Sequence, residues 1–313
     1  MGSPALPPPL WFAGAYNFSW EGQVWPQDKY AALRRRVLQS GLCRVDEIGL
    51  APMARRSELR LGHSLVYLDR LEAMTAQPQL GLFEFEAPCT REVLDGYYSM
   101  TGGTLAACRA ALARAAAGER PFAANLGGGF HHAFPWKGEG FCAINDVVVA
   151  LRVLIESGEI DSAAVIDLDV HQGNGTARAF EFEKRVFTCS LHQNRNYPVK
   201  QSSDLDVGFP DRAGGDLYLS ALRSALEQVA DFAPQFVIYL AGADPYKHDR
   251  LGQLSLSIDE LAERDRLVFA ATVERGLPVA AVLGGGYPPR QEDVVEIHYR
   301  MLSAGLGRLP GRR

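Results

Sequence analysis

From Pro121 onward the chain alternates short apolar runs with helix-like stretches, and this rhythm limits the fold more than any other feature. The runs Phe122–Leu126, Ala163–Leu168, Val186–Leu191, Phe236–Ala241 and Val279–Leu283 are short and almost continuously apolar. Such runs suit strands buried on both faces, as in a parallel sheet covered by helices. Between them lie helical stretches near Ile144–Ser157, Gly173–Glu183, Leu217–Ala230 and Ile258–Arg275. A βαβα order of this kind predicts an α/β fold, a mainly parallel sheet with helices on both faces. Before residue 118 helical patterns dominate. Lys29–Ser40 is a short amphipathic stretch, and Leu94–Ala117 a longer helix whose Gly102-Gly103 suits close packing. The proline-rich residues 1–10 read as a loose lead-in. No repeat or long linker divides the chain, so 1–313 is expected to be one domain.

The unusual polar residues collect where these runs end. Asp167-Leu-Asp169-Val-His171 closes an apolar run, and alternate side chains of a strand share a face. It predicts a strand that delivers Asp167, Asp169 and His171 to one side, before Gln172-Gly-Asn-Gly175 turns the chain. Open α/β sheets bind ligands at that end. Taken alone, Asp-x-Asp-x-His reads equally well as a solvated strand end, and a lone histidine is usually structural. Here, however, Phe122–Leu126 leads to a glycine run and the pair His131-His132. Phe236–Ala241 leads to Gly242-Ala-Asp244, and Val279–Leu283 to Gly284-Gly-Gly-Tyr287. In a parallel sheet all four groups reach one edge, the convergence that a catalytic metal site needs.

Composition narrows the class. With 47% hydrophobic and 22% charged residues the chain can build a large core. A formal charge of −5 argues against nucleic-acid binding through bulk charge. The five cysteines (Cys43, Cys89, Cys108, Cys142, Cys189) form no C-x-x-C pair, which suits a reducing compartment. The N-terminus lacks the basic and apolar regions of a signal peptide, and Leu6 stands where myristoylation wants Ser or Thr. No run approaches the ~18 apolar residues of a membrane span. A soluble cytoplasmic protein is expected.

These motifs resemble a known family. Gly127-Gly-Gly-Phe-His-His132, Gly140-Phe-Cys-Ala-Ile-Asn-Asp146, Asp167-Leu-Asp-Val-His-Gln-Gly-Asn-Gly175, Ala241-Gly-Ala-Asp-Pro245 with Asp249-Arg-Leu-Gly252, and Gly284-Gly-Gly-Tyr287 occur in this order in the histone deacetylase superfamily. The resemblance runs from about Trp11 to Leu302. His171-Gln-Gly-Asn-Gly175 and Asp249-Arg-Leu-Gly252 are most similar to the class IV branch and its bacterial relatives. The resemblance implies an arginase-like α/β fold with an eight-stranded parallel sheet, a zinc-type site and hydrolysis of acylated lysine-like amines.

It places the metal on Asp169, His171 and Asp244. Two carboxylates and a neutral imidazole balance a divalent ion and leave positions open. Zn²⁺ suits this set, and Fe²⁺ or Mn²⁺ is not excluded by it. By the same resemblance His131 and His132 flank the attacking water, oriented by Asp167 and Asn174. Anionic Asp167 favours a charged His131, whereas neutral Asn174 fixes His132 without holding its proton as strongly. His132 is therefore the expected general base, and later the acid, with His131 its electrostatic partner. Some family members carry Asp where this chain has Asn174.

The Tyr287 phenol is expected to donate to the oxyanion. Gly140, Phe141 and Tyr197 match positions lining an acyl-lysine channel, where aromatic walls grip methylenes. Asp167, Asp169, His171, Ser190 and Leu191 resemble a monovalent-cation site for K⁺ or Na⁺. Glu86 lies near where relatives use Asp to hold substrate backbone amides. His63, His192 and His298 are expected to be structural. Trp25-Pro26 stands where many relatives carry His-Pro, and nothing follows from the difference.

The expected partner is an acyl-lysine peptide or protein, or a small acylated amine, with acetyl and long fatty acyl groups both open. Class IV relatives raise the fatty-acyl option. An acetylpolyamine deacetylase is the nearest alternative, though it should show an acidic gate. A manganese ureohydrolase needs further ligands that this set does not provide. A catalytically weak acyl-lysine-binding scaffold is a reading of another class, disfavoured because every catalytic position holds a competent residue.

Overall fold

Eight parallel strands form one sheet in the computed structural model, which describes residues 6–18, 20 and 28–308. Trp25-Pro26 and the first five residues of the expected lead-in lie outside the described residues. The strands are β1 (Leu10–Phe12), β2 (Ile48–Leu50), β3 (Phe122–Asn125), β4 (Ala163–Asp167), β5 (Val186–Gln193), β6 (Leu205–Phe209), β7 (Phe236–Leu240) and β8 (Val279–Val282). Their order across the sheet is β2-β1-β3-β8-β7-β4-β5-β6. Every residue of β3, β4, β7 and β8 is buried, because helices cover both faces of the sheet's middle.

All five apolar runs are strands, and three further strands, which the apolar pattern did not locate, complete the eight that the resemblance implies. β1 and β2 have only three residues each, and Leu50 is 80% exposed. β6 alternates half-buried and exposed positions and carries Asp206 and Gly208, so it presents no apolar run. The lead-in is also shorter than expected. Leu10 is fully buried and begins β1, where it pairs with Ala124.

The helices are α1 (Lys29–Gln39), α2 (Arg56–Gly62), α3 (Leu65–Met74), α4 (Gly81–Phe85), α5 (Arg91–Ala116), α6 (Asp146–Glu156), α7 (Asn174–Phe180), α8 (Gly215–Phe232), α9 (Ile258–Ala271) and α10 (Gln291–Leu306). Local chemistry sets their starts. Thr90 caps α5 by accepting from the Val93 N–H, Asn145 caps α6 through Val148, and Ser257 and Glu260 form a reciprocal box at α9. Gly102 lets α5 press against the preceding loop, since a Cβ there would lie 2.0 Å from the Pro52 carbonyl oxygen. The helix expected to reach Arg275 stops at Ala271. Thr272 leaves helical geometry, and a 3-10 turn, Val273–Arg275, ends at Gly276 with φ +81°.

One consequence of the strand order dominates the site. β3, β8, β7 and β4 are consecutive neighbours, and their carboxyl ends lead to His131-His132, Tyr287, Asp244 and Asp169-Val-His171 respectively. Neighbouring strands lie about 4.8 Å apart, so four separated sequence segments meet within one cleft.

Candidate active site

β4 itself ends at Asp167, four residues short of His171, to which the Asp-x-Asp-x-His pattern would carry it. Asp169 and His171 follow in a bend, fixed by backbone N–H groups rather than by a strand ladder. The Asp169 N–H donates to Asp167 Oδ1 (3.2 Å), the His171 N–H to Asp169 Oδ1 (3.0 Å), and the Gly285 N–H to Asp169 Oδ2 (2.8 Å). The Val170 N–H donates to Asp244 Oδ1 at 2.8 Å. His171 Nδ1 lies 3.2 Å from Asp169 Oδ1 and 3.3 Å from Asp244 Oδ2.

Asp169, His171 and Asp244 each aim one donor atom into a region where these atoms lie within 4.8 Å of one another, and all three are buried. Burial and repulsion from Asp169 push Asp244 up to about 7. Burial opposes charge on His171, yet the two carboxylates outweigh it and raise the ring to about 10. The cluster thus draws positive charge into a dry site, and Asp244 Oδ2 has no aligned hydrogen-bond donor. Hard oxygens plus one imidazole suit a divalent metal, whose binding would displace the His171 proton.

The paired histidines face this cluster with different supports. His131 Nδ1 donates to Asp167 Oδ2 at 2.7 Å, and His132 Nδ1 to Asn174 Oδ1 at 2.8 Å. Their Nε2 atoms are 3.1 Å apart. Burial works against charge on both rings. For His131 the nearby Asp167 and Asp169 win and raise it to about 9. His132 has no adjoining anion, so burial, then the charges of His131 and His171, hold it well below the usual histidine range.

Several further residues hold this geometry; Asp146 and Asp249 lie within the family motifs but were given no role, and the others lie outside them. Asp146 accepts from the Gly129 and Phe130 N–H groups and from Thr104, pinning the glycine run ahead of His131. Asp249 accepts the Tyr287 N–H at 2.6 Å as well as those of Leu251 and Gly252. Lys29 donates to the Gly284 carbonyl, and burial lowers its pKa to about 8. Arg264 is fully buried, pairs with Asp265 and donates to the Gly242 carbonyl at 2.6 Å. Glu139 accepts from Asn174. Arg264 lies among Glu263, Asp265 and Arg266, so like Lys29 and Glu139 it looks like an ordinary surface charge in sequence.

A passage leads from the surface to these groups. Glu86, Gly140, Phe141, Asn196, Tyr197 and Leu251 line a cavity of about 180 Å³ that reaches His132, His171 and Tyr287. Inside it is a chamber of about 20 Å³, bounded by Gly128–His132, Cys142, Asp169, His171, Gly284 and Gly285. The Tyr197 ring lies 5.2 Å from that of His132, and the Phe141 ring 6.2 Å from that of Tyr287. Burial, then Asp169 and Asp244, keep the Tyr287 phenol protonated.

Ser190 and Leu191 sit on β5 beside the end of β4, with Ser190 opposite Asp167. The Ser190 hydroxyl bonds His192 Nδ1 at 3.0 Å, so cation binding there would draw on carbonyl oxygens. His63 is structural in its contacts: Nδ1 donates to the Phe134 carbonyl and Nε2 accepts the Asn145 N–H. His298 is buried in α10 and neither ring nitrogen has a hydrogen-bond partner.

The site's family is settled by comparison. The model of the histone deacetylase domain matches residues 24–301. An uncharacterized protein of Picosynechococcus sp. is 36% identical over 284 residues, covering 89% of this chain and 91% of that one. Histone deacetylase 2 of Arabidopsis thaliana is 29% identical, covering 88% and 73%. Among solved structures, a histone deacetylase homolog from Aquifex aeolicus superposes with a TM-score of 0.80 over 97% of this chain and 85% of that one, at 23% identity. The fold is thus the arginase-like fold of that group. The chain belongs to the histone deacetylase family, and its domain is of the lysine-deacetylase type of hydrolase.

Proposed function

We propose that the protein hydrolyses short acyl amides, acetyl first, on a primary amine carried by a slender alkyl chain such as a lysine side chain. The shape of the cleft carries this reading: a passage of about 180 Å³ between Phe141 and Tyr197 opens on a chamber of only about 20 Å³ beside Asp169 and His171. Aromatic walls suit methylenes. The chamber is small beside the passage and suits a small acyl group. That supports acetyl over the long fatty acyl chain that the class IV resemblance raised.

Asp169, His171 and Asp244 would hold a divalent metal, zinc by preference, which when bound supplies Lewis acidity toward a carbonyl and toward water. His132, neutral with its lone pair on Nε2, takes a proton from the attacking water and returns it to the departing amine. His131, paired with Asp167, keeps positive charge beside the negative charge that develops. The Tyr287 phenol donates to the oxyanion. Glu86, at the mouth, accepts backbone N–H groups of a peptide substrate. A K⁺ or Na⁺ among Asp167, Asp169, His171, Ser190 and Leu191 would be structural. The Glu86 carboxylate at the rim also favours a second reading, a cationic acylated polyamine.

Hydrolysis rates of acetyl-lysine peptide, myristoyl-lysine peptide and acetylputrescine by the zinc-loaded protein test the proposal. Acetyl-lysine should be turned over fastest. Preference for the myristoyl peptide would overturn the acyl-length argument, and preference for acetylputrescine would move the substrate to the polyamines.

A further inference from the structure

We propose that Glu139 sets the tautomer of His132 by acting through Asn174, and is thereby a positioning residue of the reaction; this rests on the deacylase reading above. The Asn174 side chain is fully buried and makes two directed bonds. Its Oδ1 accepts from His132 Nδ1 at 2.8 Å, and its Nδ2 donates to Glu139 Oε1 at 2.8 Å. An amide keeps its shape when turned over, but the turn exchanges an acceptor for a donor toward the histidine. A carboxylate offers acceptors only. Glu139 therefore admits one orientation of Asn174, with Nδ2 toward the glutamate and Oδ1 toward the ring.

The consequence for His132 is direct. Facing an acceptor, it carries its proton on Nδ1, and the lone pair stays on Nε2. That nitrogen faces the cavity and lies 3.1 Å from His131 Nε2. Were Asn174 reversed, its amide donor would meet Nδ1, the proton would move to Nε2, and His132 could not act as a base. An aspartate at position 174 would accept through either oxygen and need no such support. Asparagine does need it, and Glu139 supplies it.

Glu139 is itself held in place. Its Oε2 is ion-paired with Lys137 Nζ, its N–H donates to the Cys142 carbonyl at 3.1 Å, and, after burial, its negative charge helps to keep the nearby Tyr197 phenol protonated. Because it also touches a channel wall, a substrate-binding effect must be separated from a tautomer effect.

Glu139→Ala should lower kcat by about 10–100-fold and leave KM within about threefold. Glu139→Gln has one oxygen, which Lys137 would take, and turns its amide donor toward Asn174; it should recover little of that loss. The double variant Glu139→Ala/Asn174→Asp should turn over faster than Glu139→Ala alone, because the carboxylate restores an obligatory acceptor. Independently of turnover, NMR of zinc-loaded protein carrying nitrogen-labelled histidine should report His132 protonated on Nδ1 in the wild type, and a shift toward Nε2 in Glu139→Ala. Unchanged kcat with an unchanged tautomer would overturn the proposal. So would a loss confined to KM, or one that Asn174→Asp does not recover. If the wild-type protein hydrolysed no acyl amine, the functional reading would fail, and the NMR result alone would still decide the role of Glu139.

Discussion

His131 and His132 are adjacent in sequence, equally buried, and held in opposite charge states by what lies behind each ring. Asp167 provides a full negative charge 2.7 Å from one, and Asn174 only a dipole 2.8 Å from the other. Burial penalises charge on both, so the carboxylates of Asp167 and Asp169 beside His131 decide the outcome. At this scale the proposed role of Tyr287 is also testable. Tyr287→Phe removes one hydrogen-bond donor and keeps the ring that packs near Phe141. It should lower kcat by about 10²–10³-fold, with KM and metal content little changed. A steady-state comparison with metal analysis checks this, and retention of full kcat would remove Tyr287 from the chemistry.

Strand ends and the loops after them build the site, and the glycines among them are spatial requirements. A Cβ on Gly285 would lie 2.1 Å from Asp244 Oδ2 and 2.8 Å from Asp169 Oδ2. Gly285→Ala should therefore displace both carboxylates and weaken zinc binding by about 10–100-fold, measured by competition with a chromophoric chelator; unchanged affinity would show that the loop yields at no cost. The same elements explain what was legible in the sequence. Central strands buried on both faces write themselves as apolar runs, so β3, β4, β5, β7 and β8 and the groups beyond them stood out. β1, β2 and β6 are short or half-exposed, and their pairing depends on neighbours distant in the chain. Asp169 and His171 were found for a reason that the fold modifies. Their spacing suggested one strand face, whereas a bend held by backbone N–H groups brings them to the cluster. Glu139, Lys29 and Arg264 escaped notice because a charge becomes informative only once the fold buries it or supplies its partner.

The whole molecule carries an acid-sensitive component away from the chemistry. Burial lowers His63 from 6.5 to about 4, despite its bond to the Phe134 carbonyl, and His192 behaves likewise. Both are neutral in the fold and free to charge when unfolded. A depressed folded value means that this stability is complete above 6.5 and is lost as pH falls toward 4. For His63, buried in full, the loss between about pH 7 and about pH 5 should be about 2 kcal/mol. Denaturant unfolding of the wild type and His63→Gln at the two pH values checks it, with a smaller pH dependence expected in the variant. None of the described helices is long and apolar enough to cross a membrane. The most direct measurement pairs turnover of an acetyl-lysine peptide with metal content in zinc-loaded wild type and His132→Ala. The account predicts equal metal in both and turnover only in the wild type. Turnover that survives in His132→Ala, or its absence from metal-loaded wild type, would contradict it.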